Sequence, residues 1–418
     1  MGMGFSVPRT GAATQAARGH SSHIAALRGL AILSVVQSHY LALTNTYGYM
    51  GAPQFLNDAL SAGGGGVQLF FVLSAFLLTR SLLRERESPG VVFSFYKRRA
   101  ARIIPAYWLL LALGFALPHV FARENAYTHW LWDHTQPLAV YLAFVQNWVG
   151  VFAEPQQAKI FGPTWSLAVE EQFYLLIPVA VVLMSRRNLT FLAMAAVALG
   201  HPMRLAIHAE AGGVAAYFWP LAHVDAFGWG VLIAILAVER PDVVKRVSAP
   251  LLACIAIASF IALGGLLHGR IHSDPRLYAL YFTLVNLTGA ALALAALSDR
   301  VPAWVEGSLT HRCLAWCGER CYSLYLFHNP FFGLGMMAAC VGFGVTDLSL
   351  LLLSVILTFL ALLAFADFTY RFVERPFIEL AARRPADAGT PGQVAPTVPE
   401  PLLAGGGGAE LPVVRQTA

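Results

Sequence analysis

Ten apolar stretches of about twenty residues follow one another along this chain, near 24–44, 66–83, 103–121, 165–184, 189–208, 217–238, 249–267, 277–297, 321–343 and 349–370. About twenty apolar residues is what a helix needs to cross the hydrocarbon of a bilayer. The expected fold class is therefore an all-α integral membrane protein, a bundle of ten transmembrane helices. A further apolar piece, PLAVYLAFVQNW at 137–148, has only about twelve residues. At that length a re-entrant or interfacial segment is expected in place of a span. Composition agrees, with 57% hydrophobic and 12% charged residues, against roughly a quarter charged in ordinary soluble domains. That excludes a soluble enzyme, a disordered chain and a nucleic-acid binder, despite a sequence pI of about 9.0.

The basic residues set the orientation. Segments that ten spans place on one side carry Arg84, Arg86, Lys97, Arg98, Arg99, Arg102, Arg186, Arg187, Arg240, Lys245, Arg246, Arg371 and Arg375, among others. The opposite loops hold only Arg123, Lys159, Arg270 and Arg276. Such an excess marks the first side as cytoplasmic, so both termini are expected inside. The expected location is the inner (cytoplasmic) membrane. Residues 1–22 read as a cytoplasmic arm, not a cleaved signal peptide, because the first apolar run is too long and lacks a small-residue cleavage site. Residues 23–380 form the transmembrane domain. Residues 381–418, rich in Pro, Gly and Ala without periodicity, are expected to be a disordered cytoplasmic tail.

Ionisable side chains inside spans are costly and point to function. Arg28 and His39 share the first span; eleven residues are about three helical turns, so the two lie on one face about 16.5 Å apart along the axis. Each has a plain structural reading, Arg28 as a snorkelling anchor and His39 as an interhelical hydrogen-bonding group. Together they read as a lined path. The fourth span opens with PTWSLAVEEQFYLL, which sets Glu170 and Glu171 side by side. Neighbours on a helix point about 100° apart, so the two cannot share one proton as a dyad. Asp225 and His328 are further buried candidates, the first equally an interhelical ion pair, the second equally a packing histidine.

Between the second and third spans, FYKRRAARIIPAYW puts Lys97, Arg98, Arg99 and Arg102 at the cytoplasmic face, before a helix that Pro105 is suited to start. Arginine forks suit phosphate oxygens, so the cluster serves either as a topology anchor or as a phosphate site. The glycine run Gly63–Gly66 lies on the outer side with no Lys-Ser/Thr after it and is no phosphate loop. Cys313, Cys317 and Cys321 recur every four residues near His311, but the spacing is poor for zinc. Reduced thiols and no metal are expected.

Taken in order, the Arg-x10-His of Arg28 and His39, GVQLFFVLSAFLL, FYKRRAARIIP, PTWSLAVEEQFYLL, CYSLYLFHNPFF and the closing Glu374-Arg375-Pro376 resemble the acyltransferase-3 family of membrane-bound O-acyltransferases. The resemblance covers about 23 to 380. It implies transfer of an acyl group, usually acetyl, from cytoplasmic acyl-CoA to a hydroxyl of a carbohydrate, glycolipid or natural product. Carried over by position, it implies catalytic roles for Arg28 and His39 and a family Arg-x-x-Arg at Arg99 and Arg102. Glu170 and Glu171 fall in its WSLxVEEQFY signature. Two departures stand out: Ala75 replaces the usual glycine, and no esterase-like domain is expected after the last span.

On this reading Arg98, Arg99 and Arg102 hold the CoA phosphates and His39 is the general base, or alternatively carries a covalent acyl group. Arg28 stabilises an oxyanion or holds a phosphate, and Glu170 or Glu171 orients His39 or pairs with Arg28. The rival reading is a transporter or flippase using the same Arg, His and Glu path; it predicts substrate movement without CoA consumption. A third is a sensor that binds acyl-CoA without turnover.

Overall fold

The structure is a computed structural model. It describes residues 11–46, 62–120, 129, 131–152, 158–248, 250, 252–256, 258, 274–299, 301–339, 343–344 and 347–382. Its regular elements are helices: α1 (Gly11–Thr46), α2 (Gly66–Glu85), α3 (Val91–Val120), the short α4 (Leu138–Leu142) and α5 (Gln146–Phe152), and α6 (Thr164–Leu183). They continue with α7 (Arg186–Phe218), α8 (Val224–Glu239), α9 (Pro275–Ala296), α10 (Leu309–Glu319), α11 (Cys321–Met337), α12 (Leu348–Thr369) and α13 (Arg375–Ala382). A π-helical turn, Tyr370–Glu374, joins the last two. No strand occurs among the described residues.

Seven helical stretches among the described residues are long and apolar enough to cross a bilayer: Gly63–Glu85, Val91–His119, Thr164–Leu183, Arg186–Phe218, Pro220–Glu239, Pro275–Ala296 and Ser349–Ala382. They account for seven of the ten expected spans and make this an all-helical, multi-pass membrane protein. Of the other three, 24–44 lies within α1, 321–343 contains the 17-residue α11, and 249–267 falls largely outside the described residues. The 137–148 piece is broken into α4 and α5, of 5 and 7 residues, too short to span. The chain turns between them at Phe144, whose φ of 53° is left-handed.

Two boundaries differ from expectation. Helix α1 starts at Gly11, within the segment read as an arm, because Ala12, Ala13, Ala16 and Ala17 are the strongest helix formers available. Pro105 lies inside α3 and does not open it. The chain turns earlier, at Ser88–Pro89–Gly90, where Gly90 takes a φ of 69°, so the whole arginine cluster is already helical. The tail expected at 381–418 lies, from 383 on, outside the described residues.

Helix α2 is the most enclosed of the candidate spans, 72% of its apolar window being buried. Small residues allow the close approaches around it. A Cβ at Gly63 or Gly66 would strike the carbonyls of Ser34 or Ala31 on α1, and one at Gly230 of α8 would strike the carbonyl of Val72. The glycine run is thus a helix-packing device. The faces turned away from the core carry Leu175, Leu176, Leu183, Phe191, Ile356 and Leu357 in the open, as a surface in contact with lipid requires.

Candidate active site

A cavity of about 280 Å³ opens among α1, α2, α3, α6 and α11. Four of its lining residues are the arginines Arg28, Arg98, Arg99 and Arg102, against one carboxylate, Glu170. Three come from α3, where Arg99 and Arg102, three residues apart, fall on one face. Arg28 reaches in from α1 and donates from Nη2 to Cys321 Sγ at 2.9 Å. Cys321, one of the expected reduced thiols, is a free cysteine and part of the lining. Arg98 is bonded to Glu85 at 2.8 Å, on the half-exposed rim, so its charge is already matched. Arg102 Nη2 is buried without a hydrogen-bond partner.

Glu170 faces this cavity through a short polar chain. Tyr174, one turn further along α6, donates to Glu170 Oε2 at 2.7 Å, and Ser74 of α2 donates to Tyr174 Oη at 2.7 Å. Glu171 points elsewhere, as the 100° offset requires, and its Oε1 is buried without a hydrogen bond. At the far side of the cavity, Ser166 and Tyr325 share a hydrogen bond of 2.5 Å.

His39 is not among the lining residues. One turn beyond Tyr325 on α11 stands His328, and His39 Nδ1 lies 2.7 Å from His328 Nε2. The rings are parallel within 4° with centroids 4.9 Å apart. The centroids are farther apart than the bonded nitrogens by about two ring radii, so the rings lie edge to edge in one plane. His328 Nδ1 in turn bonds the Tyr325 carbonyl at 2.7 Å. The two members of the Arg-x10-His pair therefore meet the same helix: Arg28 at Cys321 and His39 at His328, two turns on.

A family profile described as an acyltransferase domain matches residues 23–366. The chain belongs to the acyltransferase-3 family. It is similar to SACOL0978 of Staphylococcus aureus strain COL, a candidate O-acetyltransferase by its name, with 27% identity over 381 residues, covering 84% of this chain and 56% of that protein. It is also similar to the O-acetyltransferase OatA of Staphylococcus aureus strain NCTC 8325 / PS 47, with 26% identity over 334 residues, covering 76% of this chain and 53% of that protein. The chain thus spans just over half the length of these relatives. No solved structure matches it.

In this acyltransferase-3 chain the structure also places Glu374, Arg204 and Tyr174, which the sequence did not single out. Glu374, the first residue of the closing Glu374-Arg375-Pro376 motif, is fully buried on the π-helical turn. Its Oε1 accepts from Ser323 at 2.5 Å, and Ser323 accepts from Thr369 at 2.7 Å. Its Oε2 is buried without a hydrogen bond, in the field of Arg102 and Arg28. Asp225 proves to be half of an ion pair: Arg204 of α7 forks onto both its oxygens at 2.7 Å and also bonds Thr283 at 2.8 Å. Arg204 hides in the sequence inside an apolar run. Tyr174 and Glu374 carried a readable signal, the first four residues after Glu170 and the second inside a terminal motif.

Proposed function

We propose that this chain transfers an acyl group, in the simplest case acetyl, from acyl-CoA on the cytoplasmic side to a hydroxyl of a carbohydrate, glycolipid or natural product. The supporting observation is the arginine-lined cavity of a chain whose relatives are named for O-acetyl transfer. Its size admits the pantetheine arm and thioester of the donor while the nucleotide stays at the mouth, where Arg98 forms the rim. Arg99 and Arg102 have the fork geometry for phosphate or pyrophosphate oxygens. No resident metal is invoked.

Deeper in, Arg28 stands where a developing oxyanion or a phosphate oxygen would be matched by a cation. Its bond to a weak acceptor, the Cys321 thiol, is readily exchanged for one to a charged oxygen. His39 takes the acceptor's hydroxyl proton, a role that typically contributes 10²–10⁴-fold to rate. Glu170, held by Tyr174, balances the arginines. The topology that serves this reaction has ten spans with both termini cytoplasmic in the inner membrane, so that donor and acceptor approach from opposite faces.

The deciding experiment uses the full chain in nanodiscs with acetyl-CoA and a panel of methyl glycosides and chito-oligosaccharides as acceptors. Free thiol should appear only when acceptor is present, together with an acetyl ester on it. His39→Ala and Arg28→Ala should abolish both. Full acetyl transfer by folded His39→Ala removes the base assignment, and glycoside movement without thiol release would replace the enzyme with a transporter.

A further inference from the structure

The partners of the two histidines decide where their protons sit. A carbonyl oxygen can only accept, so the 2.7 Å contact with the Tyr325 carbonyl puts the proton of His328 on Nδ1. In a neutral ring Nε2 is then an acceptor, and the 2.7 Å bond between the rings is donated by His39 Nδ1–H. His39 is left with its lone pair on Nε2. Among the described residues no hydrogen bond engages that nitrogen. The in-plane arrangement aims the Nδ1–H of His39 along the Nε2 lone pair of His328, the favourable direction for such a bond.

We infer that His328 is a positioning residue for acyl transfer: anchored on the Tyr325 carbonyl, it holds His39 in the tautomer whose Nε2 is open to a hydroxyl proton. The inference rests on the reading of His39 as general base. The ring nitrogen that works is set by the bond the other nitrogen makes, and a base in the wrong tautomer has no lone pair to offer. In the reaction, Nε2 of His39 takes the acceptor's O–H proton as the new C–O bond forms at the thioester carbon. The C–S bond then breaks, and the proton passes from Nε2 to the departing sulfur. His328 keeps its own proton on Nδ1, accepts the Nδ1–H of His39 throughout, and neither gains nor loses a proton over the cycle. The anchor has a structural logic of its own. Tyr325 lines the donor cavity while its carbonyl holds His328, so the helical turn that shapes the cavity also sets the base.

Nitrogen-15 histidine labelling of the full chain in nanodiscs tests this directly, with His39→Gln and His328→Gln used to assign the two residues by difference. Wild type should show His39 protonated at Nδ1 and bare at Nε2, with a coupling across the hydrogen bond to His328 Nε2. In His328→Ala that signature should be lost. In the acetyl-CoA assay, kcat of His328→Ala should fall about 10²-fold with KM for acetyl-CoA within about twofold of wild type. His328→Gln, whose amide oxygen reaches the same acceptor position, should recover to within about tenfold of wild type. A wild-type His39 protonated at Nε2, an unchanged tautomer in His328→Ala, or an unchanged kcat would each overturn the positioning role. Full turnover by His39→Ala would instead overturn the base reading, and the labelling result distinguishes the two failures. Should His328→Ala not give monodisperse protein, the wild-type spectrum and His328→Gln decide alone.

Discussion

Arg204 and Asp225 face each other with side chains 0% and 3% exposed, and their forked contact leaves neither charge alone. Removing one partner of such a pair strands the other in a low-dielectric interior, at a cost of about 3–5 kcal/mol. Asp225→Ala should therefore lower the melting temperature of the detergent-solubilised protein sharply. Arg204→Met with Asp225→Leu should melt closer to wild type, because a buried pair exchanged for apolar groups is often neutral. The arginines proposed to hold the donor carry a different expectation. Arg99→Ala with Arg102→Ala should raise KM for acetyl-CoA at least about tenfold, each lost charge-assisted bond being worth roughly 1.5–3 kcal/mol; an unchanged KM would reduce both to topology anchors. His311, outside the spans, is held below the usual histidine range by burial and by neighbouring His23, with Glu306 opposing. The folded state thus binds that proton less readily than the unfolded chain, so stability present at neutral pH is lost as pH falls below the ordinary histidine range. The melting temperature should drop on mild acidification, and His311→Gln should flatten the drop. At this scale the sequence is readable where a charge stands out from its run, as Arg28 and Glu170 do. It is opaque where a partner arrives from another helix, as His328 does for His39, or where one arginine is outvoted by its neighbours, as Arg204 is.

Helix pairs show which small residues bear on the site. Gly29 of α1 and Gly318 of α10 sit where any Cβ would strike the carbonyls of Leu314 and Ala25, so backbone meets backbone one residue from Arg28. Gly318→Ala should push the two helices apart. An overpacked contact of this kind costs about 1–3 kcal/mol, and both the melting temperature and kcat should fall; an unchanged pair of values would show that the crossing yields without disturbing the site. The π-helical turn has a comparable meaning. Such turns gather at functional sites, and here one delivers Glu374 into the interior beside the arginines. The apolar runs made most long helices legible, and length alone made 137–148 a non-spanning piece. Pro105 is a favourable first helical residue, yet α3 starts fourteen residues before it, at Val91, because the preceding turn rests on the conformation of Gly90.

For the whole molecule, the proposed ten-span topology makes a labelling prediction. In a background with the exposed Cys254 and Cys313 replaced by serine, Ser88→Cys should react with a membrane-impermeant maleimide only from the cytoplasmic side, and Gln136→Cys only from the opposite side. Labelling of both from one side would overturn the count, because an odd number of crossings separates them in the proposed arrangement. The overall class was legible because the bilayer leaves a chain so few options. The meeting of α1 with α11 was not, since residues 28 and 321 are brought together only by the folded bundle. That meeting has a mechanical consequence. Arg28 and His39 are fastened to the same neighbour at two points, so α1 and α11 act like a ruler with two fixed marks. A slip of one past the other would shift the arginine and the histidine in step, and neither can drift out of adjustment while its counterpart stays true.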